Sequence, residues 1–321
     1  MAGSMGVLFS PVILFFILGA LAAVARSDLT IPEAVGKGIS LYLMAAIGLK
    51  GGVEVSAAGF SVEMVLAALA GVGLSLLLPL PAYFLLTRLG RLDRTNGGAV
   101  AAHYGSVSVV TFVTGVEVLT TGGMPPAGYM VAVLALMETP AIIMGLVLAR
   151  GRTDAAVHGR GELLRETLLN GSVVLLMGSF VIGVLIGKDG FTQIAPVFDA
   201  GFRGMLCLFL LDLGLIAVRR LREARSLTFR LAGLAILIPL INGAIGAVLG
   251  TLIGLDPGSV AALTILAASA SYIAVPAAMR LALPQADPGL YLAMSLAVTF
   301  PFNILFGIPL YSALAQGLSG L

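Results

Sequence analysis

The chain contains few charged residues for its length. Only 11% of its 321 residues are Asp, Glu, Lys or Arg, and 59% are hydrophobic, whereas about 25% charged residues are typical of soluble domains. The mean hydropathy is +1.08. These values exclude an ordinary soluble domain and predict an integral membrane protein. The net charge of +2 does not indicate nucleic-acid binding, because the basic residues lie in loops between apolar segments.

Cysteine and the common catalytic motifs are also scarce. Cys207 is the only cysteine, which excludes a disulfide within the chain and argues against a cysteine-based metal site. No H-E-x-x-H, G-x-S-x-G or C-x-x-C motif is present. In Lys50-Gly51-Gly52 the lysine precedes its glycines, the reverse of the order in a phosphate-binding loop. We therefore expect neither an enzyme nor a bound cofactor.

What the chain does contain is ten apolar segments of about 20 residues, the length needed to cross a bilayer. The first is predicted to be a transmembrane helix rather than a cleaved signal, because the residues before it carry no charge and no typical cleavage site follows. The sequence thus predicts an all-α protein with ten membrane spans. They lie near 7–25, 32–50, 62–87, 97–121, 127–149, 168–187, 197–218, 228–254, 258–282 and 288–316.

Arginine is concentrated in the loops that follow the odd-numbered spans. Arg88, Arg91 and Arg94 follow the third span, and the loops after the fifth and seventh spans are similarly rich, whereas the opposite side has little more than Lys50 and Lys188. Because positively charged loops stay in the cytoplasm, both termini are predicted to lie outside it.

The two halves of the chain resemble each other. Residues 33–38 (EAVGKG) match 199–204 (DAGFRG) at an offset of 166, and Pro140 matches Pro301 at an offset of 161. With five spans per unit, the second copy enters the membrane from the opposite side, which predicts an inverted repeat. The predicted units are 1–150 for the first repeat, 151–166 for a cytoplasmic linker and 167–321 for the second repeat.

A short polar break interrupts the fourth span and recurs in the ninth. It reads GSVS at 105–108 and ASAS at 268–271. Non-helical backbone survives at membrane depth only where it is buried or lines a cavity, and a pair of such breaks indicates a transporter's binding site. The helices that start there offer unpaired N–H groups and about half a positive charge, which suits an anion. The predicted substrate-binding residues are Gly105, Ser106, Val107, Ser108, Ser269, Ala270 and Ser271.

The helices that end at the breaks leave carbonyl oxygens, which can hold Na⁺ as a coupling ion. Polar side chains near the breaks could also coordinate this Na⁺, since Na⁺ favours oxygen ligands. The predicted cation-binding residues are Thr111, Glu138, Asp212, Tyr272, Thr299 and Asn303.

Each of these features has a structural alternative. A single patch of small residues is typical of a close helix–helix contact rather than a ligand site. Glu138 and Asp212 could be protonated or hydrogen-bonded acids, and Asn303 could cap the backbone freed by Pro301. His103, just before the first break, could be a packed hydrogen-bonding residue.

Five segments resemble the sodium-dependent bicarbonate transporter family known from cyanobacteria. They are 27–52 (SDLTIPEAVGKGISLYLMAAIGLKGG), 105–112 (GSVSVVTF), 137–142 (METPAI), 202–214 (FRGMLCLFLLDLG) and 266–280 (LAASASYIAVPAAMR). The resemblance implies ten helices in two inverted five-helix repeats, with helices 4 and 9 broken. It also implies core and gate domains similar to those of bile acid symporters and sodium/proton antiporters.

The same resemblance implies Na⁺-coupled uptake of bicarbonate by alternating access. The expected assembly is a homotrimer in the bacterial inner membrane, in contact with lipid and controlled by a small cytoplasmic PII-like protein. Two alternatives stay open. One is a symporter of another small or organic anion, or a sodium/proton antiporter, although both breaks carry serines where an antiporter needs a titratable carboxylate. The other is a membrane sensor that binds an ion without transporting it.

Overall fold

A computed structural model describes residues 10–59, 61–154, 171–224 and 226–319, which contain helices and no strand. The start of the first predicted span and most of the predicted linker 151–166 lie outside these residues. The helices are α1 (Pro11–Val24), α2 (Glu33–Ala58), α3 (Val62–Leu77), α4 (Pro79–Arg88), α5 (Arg94–Gly105), α6 (Val109–Thr121), α7 (Met130–Asp154), α8 (Gly171–Thr192), α9 (Phe202–Glu223), α10 (Phe229–Leu252), α11 (Pro257–Ala268), α12 (Ala274–Ala282) and α13 (Pro288–Leu318).

The helices correspond in order to the ten predicted spans. α3 and α4 lie at the third predicted span, α5 and α6 at the fourth, and α11 and α12 at the ninth. Within the described ranges, eight spans are long and apolar enough to cross a membrane, and the shorter apolar helices are α1 and α11. The chain is therefore a multi-pass, all-helical membrane protein.

The half-helices that precede the two breaks have matching boundaries. α5 and α11 each contain 12 residues, and both ends of α11 lie 163 positions after those of α5. Each begins after an aspartate whose carboxylate accepts a backbone N–H three residues on, Asp93 from Asn96 and Asp256 from Ser259, both at 3.0 Å. The Asn96 hydrogen bond lowers the pKa of Asp93. Each half-helix then stops at a serine in extended conformation, Ser106 or Ser269.

Glycines allow two helix pairs to approach at backbone distance. A Cβ at Gly52 of α2 would lie 2.0 Å from the Phe180 carbonyl oxygen of α8, and one at Gly19 of α1 would lie 2.0 Å from the Leu211 carbonyl oxygen of α9. Small residues at such contacts give close packing where lipid removes the usual hydrophobic driving force. For this reason α2 does not end near residue 50, as predicted, but continues through Gly51 and Gly52 to Ala58.

Two prolines inside helices free backbone groups near the breaks. Pro239 of α10 cannot donate to Ala235, and the Thr299 hydroxyl of α13 donates to that carbonyl at 2.6 Å. Near Pro140 of α7, the Ser75 hydroxyl of α3 donates to the Met137 carbonyl and accepts the Ala141 N–H at 3.0 Å. Thr299 thus fixes α13 against α10 at Pro239, and Ser75 fixes α7 against α3 beside Pro140.

Candidate functional site

The two breaks lie against each other in the interior and are hydrogen-bonded crosswise. The Ser108 N–H donates to the Ser269 hydroxyl at 2.9 Å, and the Ser271 N–H donates to the His103 carbonyl at 2.9 Å. All seven predicted substrate-binding residues are buried. The structure therefore brings together at one place the two polar segments that are 163 residues apart in sequence.

The four serine hydroxyls have different surroundings. Ser106 donates to the Glu138 carbonyl at 3.1 Å, and Ser269 donates to the Leu266 carbonyl at 2.8 Å. Ser108 accepts the N–H of Thr111 at 3.2 Å and its hydroxyl at 3.0 Å. The hydroxyl of Ser271 has only a long contact, 3.5 Å from the Val275 N–H. Ser108 and Ser271 thus keep hydroxyl protons that no carbonyl among the described residues accepts, and Ser271 is the one whose hydroxyl has no short hydrogen bond.

The amino ends of α6 and α12 begin directly after the breaks. Ser108 is the residue before the first turn of α6, where its side chain satisfies one of the otherwise unpaired N–H groups. The residue before α12, Ile273, gives no such cap, and Pro276 in the first turn has no N–H to offer. The N–H groups left over, together with the helix dipoles, make the break region favourable for a negative charge.

The carbonyl oxygens at the ends of α5 and α11 each accept a hydrogen bond, although the sequence led us to expect them to be free. The Tyr104 carbonyl accepts from the side-chain amide of Asn242 on α10 at 3.0 Å. The Ala268 carbonyl accepts from the side-chain amide of Asn303 on α13 at 2.8 Å, and the oxygen of that amide accepts the Tyr311 hydroxyl. One amide therefore caps each interrupted helix.

A cavity of about 10 Å³ lies between the breaks, which is about the space that one water molecule needs. Ser108, Ser271 and Glu138 are among the residues that line it, together with Tyr272 and with Met44 from α2. Glu138 is buried and lies on α7, close to the Pro140 kink. In this structure the space left between these polar groups is thus no larger than about one water molecule.

The six predicted cation-binding residues are not all at this cavity. Glu138 and Tyr272 line it, and Thr111 is bonded to Ser108 beside it. Thr299 bonds to the Tyr104 hydroxyl at 2.8 Å as well as to Ala235, so it joins α5, α10 and α13. Asp212 lies on α9 close to Gly36 of α2 and does not line the cavity.

Sequence reasoning missed Asn242. It is a lone asparagine in an apolar run of α10, and the only available signal was that polar residues inside membrane spans are usually functional or paired. Among the described residues, no three His, Cys, Asp or Glu side chains cluster as metal ligands. A cation bound here would accordingly be held by hydroxyl, amide and carbonyl oxygens with at most a lone carboxylate.

Two interrupted helices whose breaks meet in the interior of a helical membrane protein are a feature typical of secondary transporters. The chain belongs to the Na⁺-dependent bicarbonate transporter superfamily, because the family model matches residues 11–316, nearly its whole length. This match confirms the family that the sequence segments indicated. No curated protein is significantly similar to the chain in sequence.

Proposed function

We propose that this protein takes up bicarbonate together with Na⁺ by alternating access, with the anion bound between the two breaks. The observation that carries the proposal is the crosswise pairing of the breaks. It places Ser108 and Ser271 around one cavity at the amino ends of α6 and α12. Backbone N–H groups and helix dipoles can hold an anion there without an arginine. Membership in a transporter family supports the prediction that the chain is not an enzyme.

Coupling would follow from placing the cation close to the anion. Glu138 lines the same cavity, and the carbonyl ends of α5 and α11 are adjacent to the breaks. Each ion lowers the electrostatic cost of binding the other, so that the two bind and move together. A bound cation would also compensate the carboxylate of Glu138, which otherwise repels bicarbonate.

The moving parts follow from the packing. The backbone contacts at Gly19 and Gly52 join α1 to α9 and α2 to α8, which supports a gate domain of these four helices and a core domain that carries the breaks. The matched boundaries and caps of α5 and α11 support two repeats, and the arginine-rich loops after the odd-numbered spans support both termini outside the cytoplasm. Rocking of the core against the gate would expose the site to each side in turn.

An ion pair joins the gate to the core on the side away from the arginine-rich loops. Arg203 of α9 lies 2.5 Å from the Glu117 carboxylate of α6 and also bonds to Thr121. Behind the pair is a cavity of about 120 Å³ whose lining includes Lys50, Glu117 and Phe202. We infer that the pair holds the outer side closed and opens when the core moves.

Removing one charge of this pair should favour the outward-open state. The expected bias for a partly exposed pair is at most about 1 kcal/mol, which is about a fivefold change in population. Glu117→Gln should therefore raise the labelling rate of Val109→Cys by a membrane-impermeant thiol reagent about two- to fivefold. All variants for this measurement also carry Cys207→Ser, so that the introduced cysteine is the only thiol that the reagent can label.

The charge-swapped protein, Glu117→Arg with Arg203→Glu, should restore slow labelling. The exposed pair Arg220 and Glu223 near the end of α9 provides the matched control, because Glu223→Gln removes a similar charge far from the breaks. Equal labelling in Glu117→Gln and the parent protein would contradict a gating role.

The function itself is tested by uptake of radiolabelled bicarbonate into proteoliposomes at alkaline pH, with an inward gradient of Na⁺ or of K⁺. We expect accumulation with Na⁺ only, and none in liposomes without protein. If one Na⁺ moves with each bicarbonate, an imposed membrane potential should have no effect. A second Na⁺ would add about 2.3 kcal/mol of drive per 100 mV.

Uptake of another anion under a Na⁺ gradient would support the first alternative, a symporter of different specificity. Saturable binding without uptake in either gradient would support a sensor. The homotrimer, the bacterial inner membrane and the PII-like regulator are predictions from the family resemblance, and most of the linker at 151–166 lies outside the described residues.

A further inference from the structure

The side-chain amide of Asn242 has one end bonded and one end free. Its nitrogen donates to the Tyr104 carbonyl at 3.0 Å, and because a carbonyl can only accept, this bond fixes which end of the amide is the oxygen. Asn242 is 1% exposed, and its oxygen has no hydrogen-bond partner among the described residues. A buried acceptor without a partner costs about 1–3 kcal/mol, so its presence calls for a bound ion or water.

The helix end that the Asn242 amide caps has a negative character. Tyr104 lies in the last turn of α5, whose carboxyl end carries about half a negative charge. At the same helix end, the carbonyls of Ala102 and His103 accept the N–H groups of Ser106 and Ser271. The Tyr104 hydroxyl donates to the Thr299 hydroxyl, which itself donates to the Ala235 carbonyl. An oxygen in such a place is suited to a hard cation and not to an anion.

Asn303 provides the contrast within the same molecule. It is equally buried and caps α11 as Asn242 caps α5, but its oxygen accepts the Tyr311 hydroxyl at 3.0 Å. Both ends of the Asn303 amide are therefore bonded, and the carbonyl that it caps is that of Ala268 at the end of α11 rather than one freed by Pro301. Each half-helix thus has an asparagine cap, but only the cap of α5, Asn242, has a side-chain oxygen without a hydrogen-bond partner among the described residues.

We propose that the side-chain oxygen of Asn242, at the carboxyl end of α5, binds a coupling Na⁺. This inference rests on the proposed function and deepens it, because it assigns a cation to the first break and makes Asn303 a structural cap. The expected preference is for Na⁺ over K⁺, in line with the family to which the chain belongs.

The test measures thermal unfolding of the purified full chain in detergent, with NaCl titrated against KCl at constant ionic strength and without bicarbonate. A ligand that binds only the folded state raises its stability in a saturable way. The wild type should show such a shift with Na⁺. In Asn242→Ala the Na⁺ concentration for half of the shift should rise at least about tenfold, equivalent to ~1.4 kcal/mol.

Asn303→Ala is the matched control. It also removes an amide that caps an interrupted helix, so it should lower the basal unfolding temperature to a similar extent while keeping the wild-type response to Na⁺. If Asn242→Ala does not fold, Asn242→Ser makes the same comparison, because it also removes the amide oxygen but leaves a polar side chain in its place.

An unchanged half-saturating Na⁺ concentration in the Asn242 variants, or no Na⁺-specific shift in the wild type, would overturn the inference. In that case Asn242 would hold a water molecule or act only as a cap. Uptake assays separate this result from the larger proposal. Na⁺-driven uptake by the wild type with an unaltered Na⁺ response in the variants rejects the Asn242 site alone. An Asn242-dependent shift without bicarbonate uptake rejects the transport proposal and leaves the cation site.

Discussion

Bicarbonate uptake by Ser271→Leu should fall to the level of protein-free liposomes. Ser271 is 2% exposed and lines a cavity of about 10 Å³, so the larger side chain would fill the space between the breaks. Extra methylene groups in a packed interior typically cost about 1–3 kcal/mol, a loss that a folded membrane protein can tolerate. The expected defect is therefore in uptake, with the protein still inserted and monodisperse in detergent.

Ser271→Ala keeps the space and removes the hydroxyl. A hydrogen bond to a charged group is worth about 1.5–3 kcal/mol, so the half-saturating bicarbonate concentration should rise at least about tenfold. Ser269→Ala is the matched control, because that hydroxyl is already used by the Leu266 carbonyl and the Ser108 N–H. It should lower thermal stability more than bicarbonate affinity. If Ser271→Leu takes up bicarbonate as well as the wild type, the substrate does not bind between the breaks.

The positions of the interruptions could be predicted closely from the sequence. Short polar segments within apolar spans are unfavourable in a bilayer unless they serve a site, and both half-helices end at the residue before a serine, Gly105 and Ala268. The end of α2 could not be predicted, because glycines read locally as helix-breaking residues. Only the tertiary structure shows that Gly51 and Gly52 lie inside the helix, with Gly52 against the backbone of α8.

The individual roles in the candidate site depend on distances that a single sequence does not contain. Four serines in equivalent positions are indistinguishable in sequence, yet only Ser271 has a hydroxyl without a short hydrogen bond. Thr299 is as polar as any cation ligand, but Pro239, sixty residues away in the chain, frees the carbonyl that Thr299 binds. Asn242 belongs to no sequence motif. Only the structure shows that one hydrogen bond orients its amide and leaves the oxygen without a partner among the described residues.

Glu138→Gln should strongly weaken the Na⁺ drive on uptake. Glu138 is 4% exposed and is the only acidic residue among those that line the cavity. An uncompensated buried carboxylate is costly, and next to a bicarbonate site it would repel the substrate, so a bound cation explains both its presence and the coupling. Glutamine keeps the shape and removes the charge. We expect Na⁺-driven accumulation to fall by at least about tenfold, equivalent to ~1.4 kcal/mol.

Asp212→Asn is the matched control, because this buried acid lies against Gly36 between α9 and α2 and away from the cavity. It should leave the Na⁺ dependence unchanged. Full Na⁺-driven uptake by Glu138→Gln would instead mean that Glu138 is a neutral, structural acid. If both Glu138 and Asn242 bind a cation, two Na⁺ would accompany each bicarbonate. Uptake would then carry net positive charge, and an inside-negative potential should accelerate it in the wild type but not in Glu138→Gln.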